Sequence, residues 1–108
     1  METRKVLFQS NPNAATLTDA YTVPASTQVV GSTINVCNRS AVATTFRISI
    51  GVAGAADDNK QYLEYDAAIV GNDSIAITIG FTLGATDVVR VYATLATLSF
   101  TGFGVELT

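Results

Sequence analysis

Two acidic residues near the middle of the chain are the first candidates for chemistry. Glu64 and Asp66 are separated by one residue, so on an extended strand both carboxylates would lie on one face, about 6–7 Å apart. Glycosidases use paired carboxylates at comparable separations. No tryptophan accompanies them to line a sugar cleft. We therefore expect these acids to aid solubility, or to pair across a subunit contact with Arg39, Arg47 or Arg90.

A second pair of acidic residues lies in a polar segment that is predicted to be a loop. Asp57 and Asp58 come directly before Asn59 and Lys60. Calcium requires about six to eight oxygen ligands, and the sequence lacks the regularly spaced acidic residues of an EF-hand loop. The stretch therefore predicts a solvated turn rather than a metal site.

The tyrosines are the remaining candidates for binding. Aromatic rings on a β-sandwich can stack against sugars, so a carbohydrate-binding or adhesive module is an alternative function. The spacing of Tyr21, Tyr62, Tyr65 and Tyr92 along the chain gives no evidence of a shared surface. Tyrosine is also well suited to protein interfaces. We expect core or interface packing, with Tyr62 and Tyr92 as candidate partner-binding residues.

The residues that are absent exclude several classes of function. Histidine and tryptophan are missing and Cys37 is the single cysteine, which excludes Ser-His-Asp and Cys-His catalysis, histidine-bound zinc and an intrachain disulfide. A net charge of −3 disfavours a nucleic-acid groove, which needs clustered cations. No apolar run approaches the roughly 18 residues of a membrane helix. We expect a non-enzymatic protein without cofactors that binds neither nucleic acid nor membrane.

The low charge content also bears on function. Charged residues make up 14% of the 108 residues, against roughly 25% in typical soluble domains. Part of the surface is therefore expected to be covered by other copies of the chain or by a partner. The alternative is an ordinary small β-protein whose threonine-rich faces are solvated.

The hydrophobic pattern predicts strands and no helix. Apolar residues alternate with polar ones in several segments, at spacings of about ten residues, which is typical of an antiparallel sandwich. We predict one all-β domain, a jelly-roll or Ig-like β-sandwich of about seven to eight strands. The predicted core consists of Phe46, Ile48, Ile50, Ile75, Ile77, Ile79, Val89, Val91 and Phe100.

Two details of side-chain facing follow from the same alternation. In the predicted strand 28–38, Val30, Ile34 and Val36 would share one face. In the last strand the apolar phase changes after Phe100, which predicts a β-bulge at Gly102.

The first residues differ from the rest of the chain. Residues 1–13 start with charged residues and end in an Asn-Pro-Asn turn sequence, so they form either an N-terminal arm or an edge strand, followed by the β-sandwich domain at 14–108. As an arm, the segment would dock on a partner through apolar side chains and cations. The residues concerned are Arg4, Lys5, Val6, Leu7 and Phe8.

Four segments carry a family resemblance: ATLTDAYTVPA at 15–25, INVCNRS at 34–40, ATTFRI at 43–48 and LGATDVVRVYA at 83–93. Together they resemble small virion proteins of tailed bacteriophages. The resemblance covers residues 14–107, and its motifs are structural rather than catalytic. It implies a β-sandwich subunit of a virion, assembled in the host cytoplasm.

The resemblance also implies a class of partner. The first expectation is a homo-oligomeric capsid cement or decoration subunit that binds the major capsid protein. Binding to other virion proteins, as a neck, tail or fibre-attachment subunit, is the alternative, because the motifs do not specify a position on the particle.

Overall fold

The computed structural model describes residues 1–108 and consists of strands joined by turns and two short 3-10 segments, Val52–Gly54 and Asn59–Gln61. No helix in it is long and apolar enough to cross a membrane. The strands are β1 (Glu2–Ser10), β2 (Thr18–Thr22), β3 (Gln28–Asn38), β4 (Thr44–Gly51), β5 (Tyr62–Ile69), β6 (Ser74–Ile77), β7 (Phe81–Leu83), β8 (Val88–Ala93) and β9 (Leu98–Leu107).

The strands form two antiparallel sheets. Sheet A has the order β1-β9-β3-β6, with β7 also paired to β3, and sheet B has the order β2-β8-β4-β5. Because β6 and β7 pair with successive parts of β3, they share one strand position. The paired strands are then nested along the chain, which defines a jelly roll. The pairs are β1 with β9, β2 with β8, β3 with β6 and β7, and β4 with β5. The predicted antiparallel sandwich is confirmed, in its jelly-roll form.

The core lies between the two sheets. Phe46 from sheet B and Phe100 from sheet A are fully buried and pack edge to face, with ring centroids 6.1 Å apart. Six of the nine predicted core residues are buried, since Ile48, Ile77, Val89 and Val91 accompany these two rings. The partly buried Ile50 and Ile75 pack against this core.

Ile79 was wrongly predicted to be a core residue. Strand β6 ends at Ile77, and residues 78–80 form an irregular link to β7, in which Gly80 has a φ of 64°. The Ile79 side chain is 58% exposed, and Phe81 at the start of β7 enters the core instead. The apolar alternation continues in the sequence after the strand has ended, so the pattern alone overextended it.

The predicted facing of β3 is wrong in its first half. The register of β3 relative to β9 changes between Gly31 and Thr33, so Ser32 is an extra residue on β3. This bulge changes the phase of the strand. Val29 is therefore buried while Val30 points outward and is exposed.

The predicted bulge at Gly102 is also wrong, because the extra residues lie on the two neighbours of β9. Leu7 is the extra residue on β1 and Ser32 is the extra residue on β3, while the side chains of β9 alternate without interruption. Gly102 has a different role: a Cβ atom there would lie 2.3 Å from the Phe8 ring. The glycine leaves room for that ring, and Phe103 stays on the outer face of sheet A.

Candidate functional site

The candidate docking residues of the N-terminal segment lie in an edge strand. Residues 2–10 pair with β9 from Glu2 to Ser10. Leu7 and Phe8 are buried in the core of the chain itself, which corrects the expectation that they bind a partner. Arg4, Lys5 and Val6 are exposed, and Arg4 lies 3.2 Å from the carboxylate of Glu2.

Lys5 belongs to a polar contact that joins the two sheets at one end. Its Nζ lies 3.4 Å from Glu106 Oε1 in sheet A. The Tyr21 hydroxyl of sheet B donates a hydrogen bond to Glu106 Oε2. This hydrogen bond, together with the Lys5 charge, lowers the pKa of Glu106, whereas burial and the nearby carboxylate raise the pKa of Tyr21. At neutral pH a charged carboxylate therefore accepts from a neutral phenol.

This contact predicts a pH-dependent effect of Tyr21→Phe. Because the pKa of Glu106 is lowered by folding, its contribution to stability is present above the unfolded pKa and is lost as pH falls through the folded pKa. We expect Tyr21→Phe to lower the free energy of unfolding by about 1 kcal/mol at neutral pH. The difference from wild type should shrink as pH falls below about 4.

Urea unfolding followed by circular dichroism across this pH range measures the difference. Tyr92→Phe is the matched control, since the tyrosine hydroxyls with hydrogen-bond partners are those of Tyr21 and Tyr62. A Tyr21→Phe deficit that stays constant with pH would contradict a bond to the ionised carboxylate.

Three of the four tyrosines meet on the outer face of sheet B, around one arginine. The guanidinium carbon of Arg47 lies 4.2 Å from the ring centroid of Tyr65 and 4.4 Å from that of Tyr92. Tyr62 packs edge to face on Tyr65, with centroids 5.0 Å apart and planes at 90°. Arg47, Tyr62, Tyr65 and Tyr92 are called the tyrosine cluster below. Cation–π contacts of this kind hold both rings and the guanidinium in place.

Irregularity in β5 explains why the sequence did not reveal this cluster. Tyr62 and Tyr65 are three residues apart, so a regular strand would place them on opposite faces. Register between β4 and β5 shifts twice between Ala67 and Tyr62, and Asp66 has a positive φ of 52°. The bulges bring both rings to one side. No local sequence signal marks them, since neither glycine nor a turn motif is present.

Carboxylates hold the tyrosine cluster from two sides. Arg47 Nε donates to Asp66 Oδ1 at 2.7 Å, which raises the pKa of Arg47. The Tyr62 hydroxyl donates to Asp57 Oδ1 at 2.8 Å. Burial, followed by this bond, raises the pKa of Tyr62, so the phenol stays neutral at physiological pH. The Asp66–Arg47 pair thus forms within the chain rather than across a subunit contact, and Glu64 takes part in none of the ion pairs.

A shallow cleft opens beside the cluster. It has a volume of about 500 Å³ and is lined by Asn59, Tyr62 and Tyr65. Asp58 precedes the short 3-10 segment and accepts from the Lys60 amide at 3.2 Å, which orders the loop that carries Asn59. No group of three or more acidic, cysteine or histidine residues lies close enough to hold a metal ion. The cleft offers an aromatic wall beside amide, hydroxyl and carboxylate groups.

The outer face of sheet A has the opposite character. Val6 lies opposite Phe103, and Val30 lies opposite Val105; with Leu107 these residues form what is called the apolar stripe below. Val6, Val30 and Phe103 are each at least 39% exposed. The outward residues of β3 and β9 are all uncharged. This face therefore combines exposed apolar side chains with hydroxyl and amide groups.

Comparisons with protein families, curated proteins and solved structures find no match to this chain. Two surfaces of the chain bear on its function. The outer face of sheet A is apolar and uncharged, and the outer face of sheet B is aromatic and charged.

Proposed function

We propose that this chain is a non-enzymatic structural subunit of a tailed-phage virion, a capsid decoration protein that binds the coat through the outer face of sheet A. The observation that carries the proposal is the apolar stripe on an uncharged sheet face. Exposed contiguous apolar surface on a small domain marks an interaction site. The resemblance of residues 14–107 to virion proteins supplies the class of partner.

The distribution of charge supports this orientation. On the outer face of sheet A the charged residues are Glu2 and Arg4, which lie at the end of edge strand β1 and pair with each other. Sheet B carries the Arg47–Asp66 pair and the Arg90–Asp19 pair on its outer side. Burying charge without a partner is costly. Docking through sheet A avoids that cost, and sheet B then remains in solvent.

Each residue of the apolar stripe can contribute a modest amount to docking. Burying the exposed part of one such side chain contributes on the order of 1 kcal/mol. Several copies linked in a homo-oligomer would convert weak single contacts with a repeating lattice into stable attachment by avidity. This also accounts for a chain with few charges, because its least polar face is covered on the particle.

The first test is whether the chain is part of the particle, and in how many copies. Virions of the phage whose genome encodes it are purified and analysed by quantitative mass spectrometry. A decoration protein should follow the number of coat subunits, whereas a neck or tail subunit should be present in about a dozen copies or fewer, following the symmetry of those parts. Absence from purified virions would overturn the proposal.

The second test changes the face itself. We expect Phe103→Glu, or Val30→Glu, to reduce co-sedimentation of the purified chain with undecorated capsids by at least about tenfold, since each buries a new charge in the contact. Ala68→Glu adds the same charge to the exposed side of β5 in sheet B and should bind like wild type. Equal binding by Phe103→Glu and wild type would show that another surface docks. Light scattering on the free chain reports whether it forms homo-oligomers.

A further inference from the structure

We propose that the cleft beside the tyrosine cluster binds a neutral saccharide, by stacking one pyranose ring on Tyr65. This goes beyond the proposed function and does not depend on it, because the cleft lies on sheet B and the apolar stripe lies on sheet A.

Tyr65 presents an open aromatic face. One side of its ring is covered by the Arg47 guanidinium, whose central carbon is 4.2 Å from the ring centroid. Tyr62 meets it at 90°, and 57% of the Tyr65 residue surface remains exposed. Exposed aromatic side chains grouped in this way are typical of the lining of small-ligand sites. Its flat face, next to the perpendicular wall of Tyr62, matches the apolar face of a sugar ring.

Polar groups surround this aromatic corner where sugar hydroxyls would lie. Asn59 lines the cleft with an amide that both donates and accepts. The Tyr62 hydroxyl has its proton engaged by Asp57 and keeps acceptor capacity. An apolar wall with a few convergent hydrogen-bonding groups is the usual composition of a small-ligand site.

The charges at the cleft select against ionic ligands. Arg47 is neutralised by its contact with Asp66 at 2.7 Å, and Asp57 adds a further carboxylate beside Tyr62. An anionic ligand would therefore be repelled. A cationic ligand would find the position between Tyr65 and Tyr92 already taken by the guanidinium. A neutral, hydroxyl-rich ligand satisfies both constraints.

The cluster is also ordered before a ligand arrives. Arg47 is held by two rings and a carboxylate, and Tyr62 by its hydrogen bond to Asp57. Side chains that are already immobilised lose little conformational entropy on binding. An open cleft with one stacking ring nevertheless predicts weak single-site binding, with a Kd on the order of 1 mM.

Binding is tested on the isolated chain by NMR titration of its backbone amides. The probes are neutral oligosaccharides of glucose, galactose, mannose or N-acetylglucosamine, with sialylated glycans and choline as charged comparisons. We expect saturable shifts at Asn59, Tyr62 and Tyr65 with at least one neutral probe. The proposal would be overturned if no saturable shifts appear at oligosaccharide concentrations well above about 1 mM. A response to the charged probes alone would overturn it as well.

Three variants connect binding to the ring. Tyr65→Ala should raise the Kd by about tenfold. Tyr65→Phe should bind like wild type, because stacking needs only the ring. Leu63→Ala removes another exposed side chain of β5 and is the matched control. Thermal unfolding verifies that each variant is folded. An unchanged Kd in folded Tyr65→Ala would contradict the proposal.

Discussion

Deleting residues 1–12 is expected to leave the chain without a cooperative unfolding transition at 25 °C. The deletion removes β1 and with it Leu7 and Phe8, both buried in the core. Loss of buried leucine and phenylalanine side chains typically costs about 2–5 and 3–5 kcal/mol, while small domains are stable by about 5–15 kcal/mol in total. The two losses together are comparable with the whole stability. Urea unfolding followed by circular dichroism measures the outcome.

Point variants distinguish the effect of lost side-chain packing from the effect of removing the whole strand. Phe8→Ala should lower the free energy of unfolding by about 3–5 kcal/mol, because its ring fills the space that Gly102 leaves open. Val6→Ala in the same strand should cost less than about 1 kcal/mol, since Val6 is 45% exposed on the outer face. A deletion variant with an unchanged melting temperature would show that β1 detaches from the domain.

The second large effect is expected at the centre of the sandwich. Ile48→Ala should lower the free energy of unfolding by about 2–5 kcal/mol, because the residue is 1% exposed and its loss leaves a cavity between the sheets. Ile79→Ala removes the same atoms at an exposed position between β6 and β7, and should change the free energy of unfolding by about 0.5 kcal/mol or less. Denaturant midpoints of the two variants are compared under one set of conditions.

The pair tests the corrected core directly. Equal losses for Ile48→Ala and Ile79→Ala would mean that Ile79 packs in the folded chain, as the alternation in the sequence predicts. A small loss at Ile48 would mean that this part of the core is loosely packed.

The strands could be predicted from the sequence because their signal is local. The predicted bounds 28–38 agree with those of β3, and Phe46 and Ile48 are buried as their alternation indicates. Alternation with a period of two reflects only the neighbouring residues of one strand. The turns between short strands, together with the lack of helical crossovers, then implied an antiparallel sandwich.

The facing of some side chains and the order of the strands depend on the pairing of distant segments. The extra residues Leu7 and Ser32 change the facing of one half of their strand relative to the other, so Val29 rather than Val30 enters the core before the bulge in β3. The strand order that makes the sandwich a jelly roll is likewise a matter of which distant strands hydrogen-bond. Neither is encoded in the residue types of one segment.

The candidate sites illustrate the same division. The amino-acid composition shows that the chain lacks histidine, carries few charges and has four tyrosines, which excludes catalysis that depends on a histidine base. Only the folded chain brings Tyr62, Tyr65 and Tyr92 around Arg47. Register shifts in β5 place side chains that a regular strand would separate on one face, because such shifts arise from pairing with β4 rather than from the local sequence.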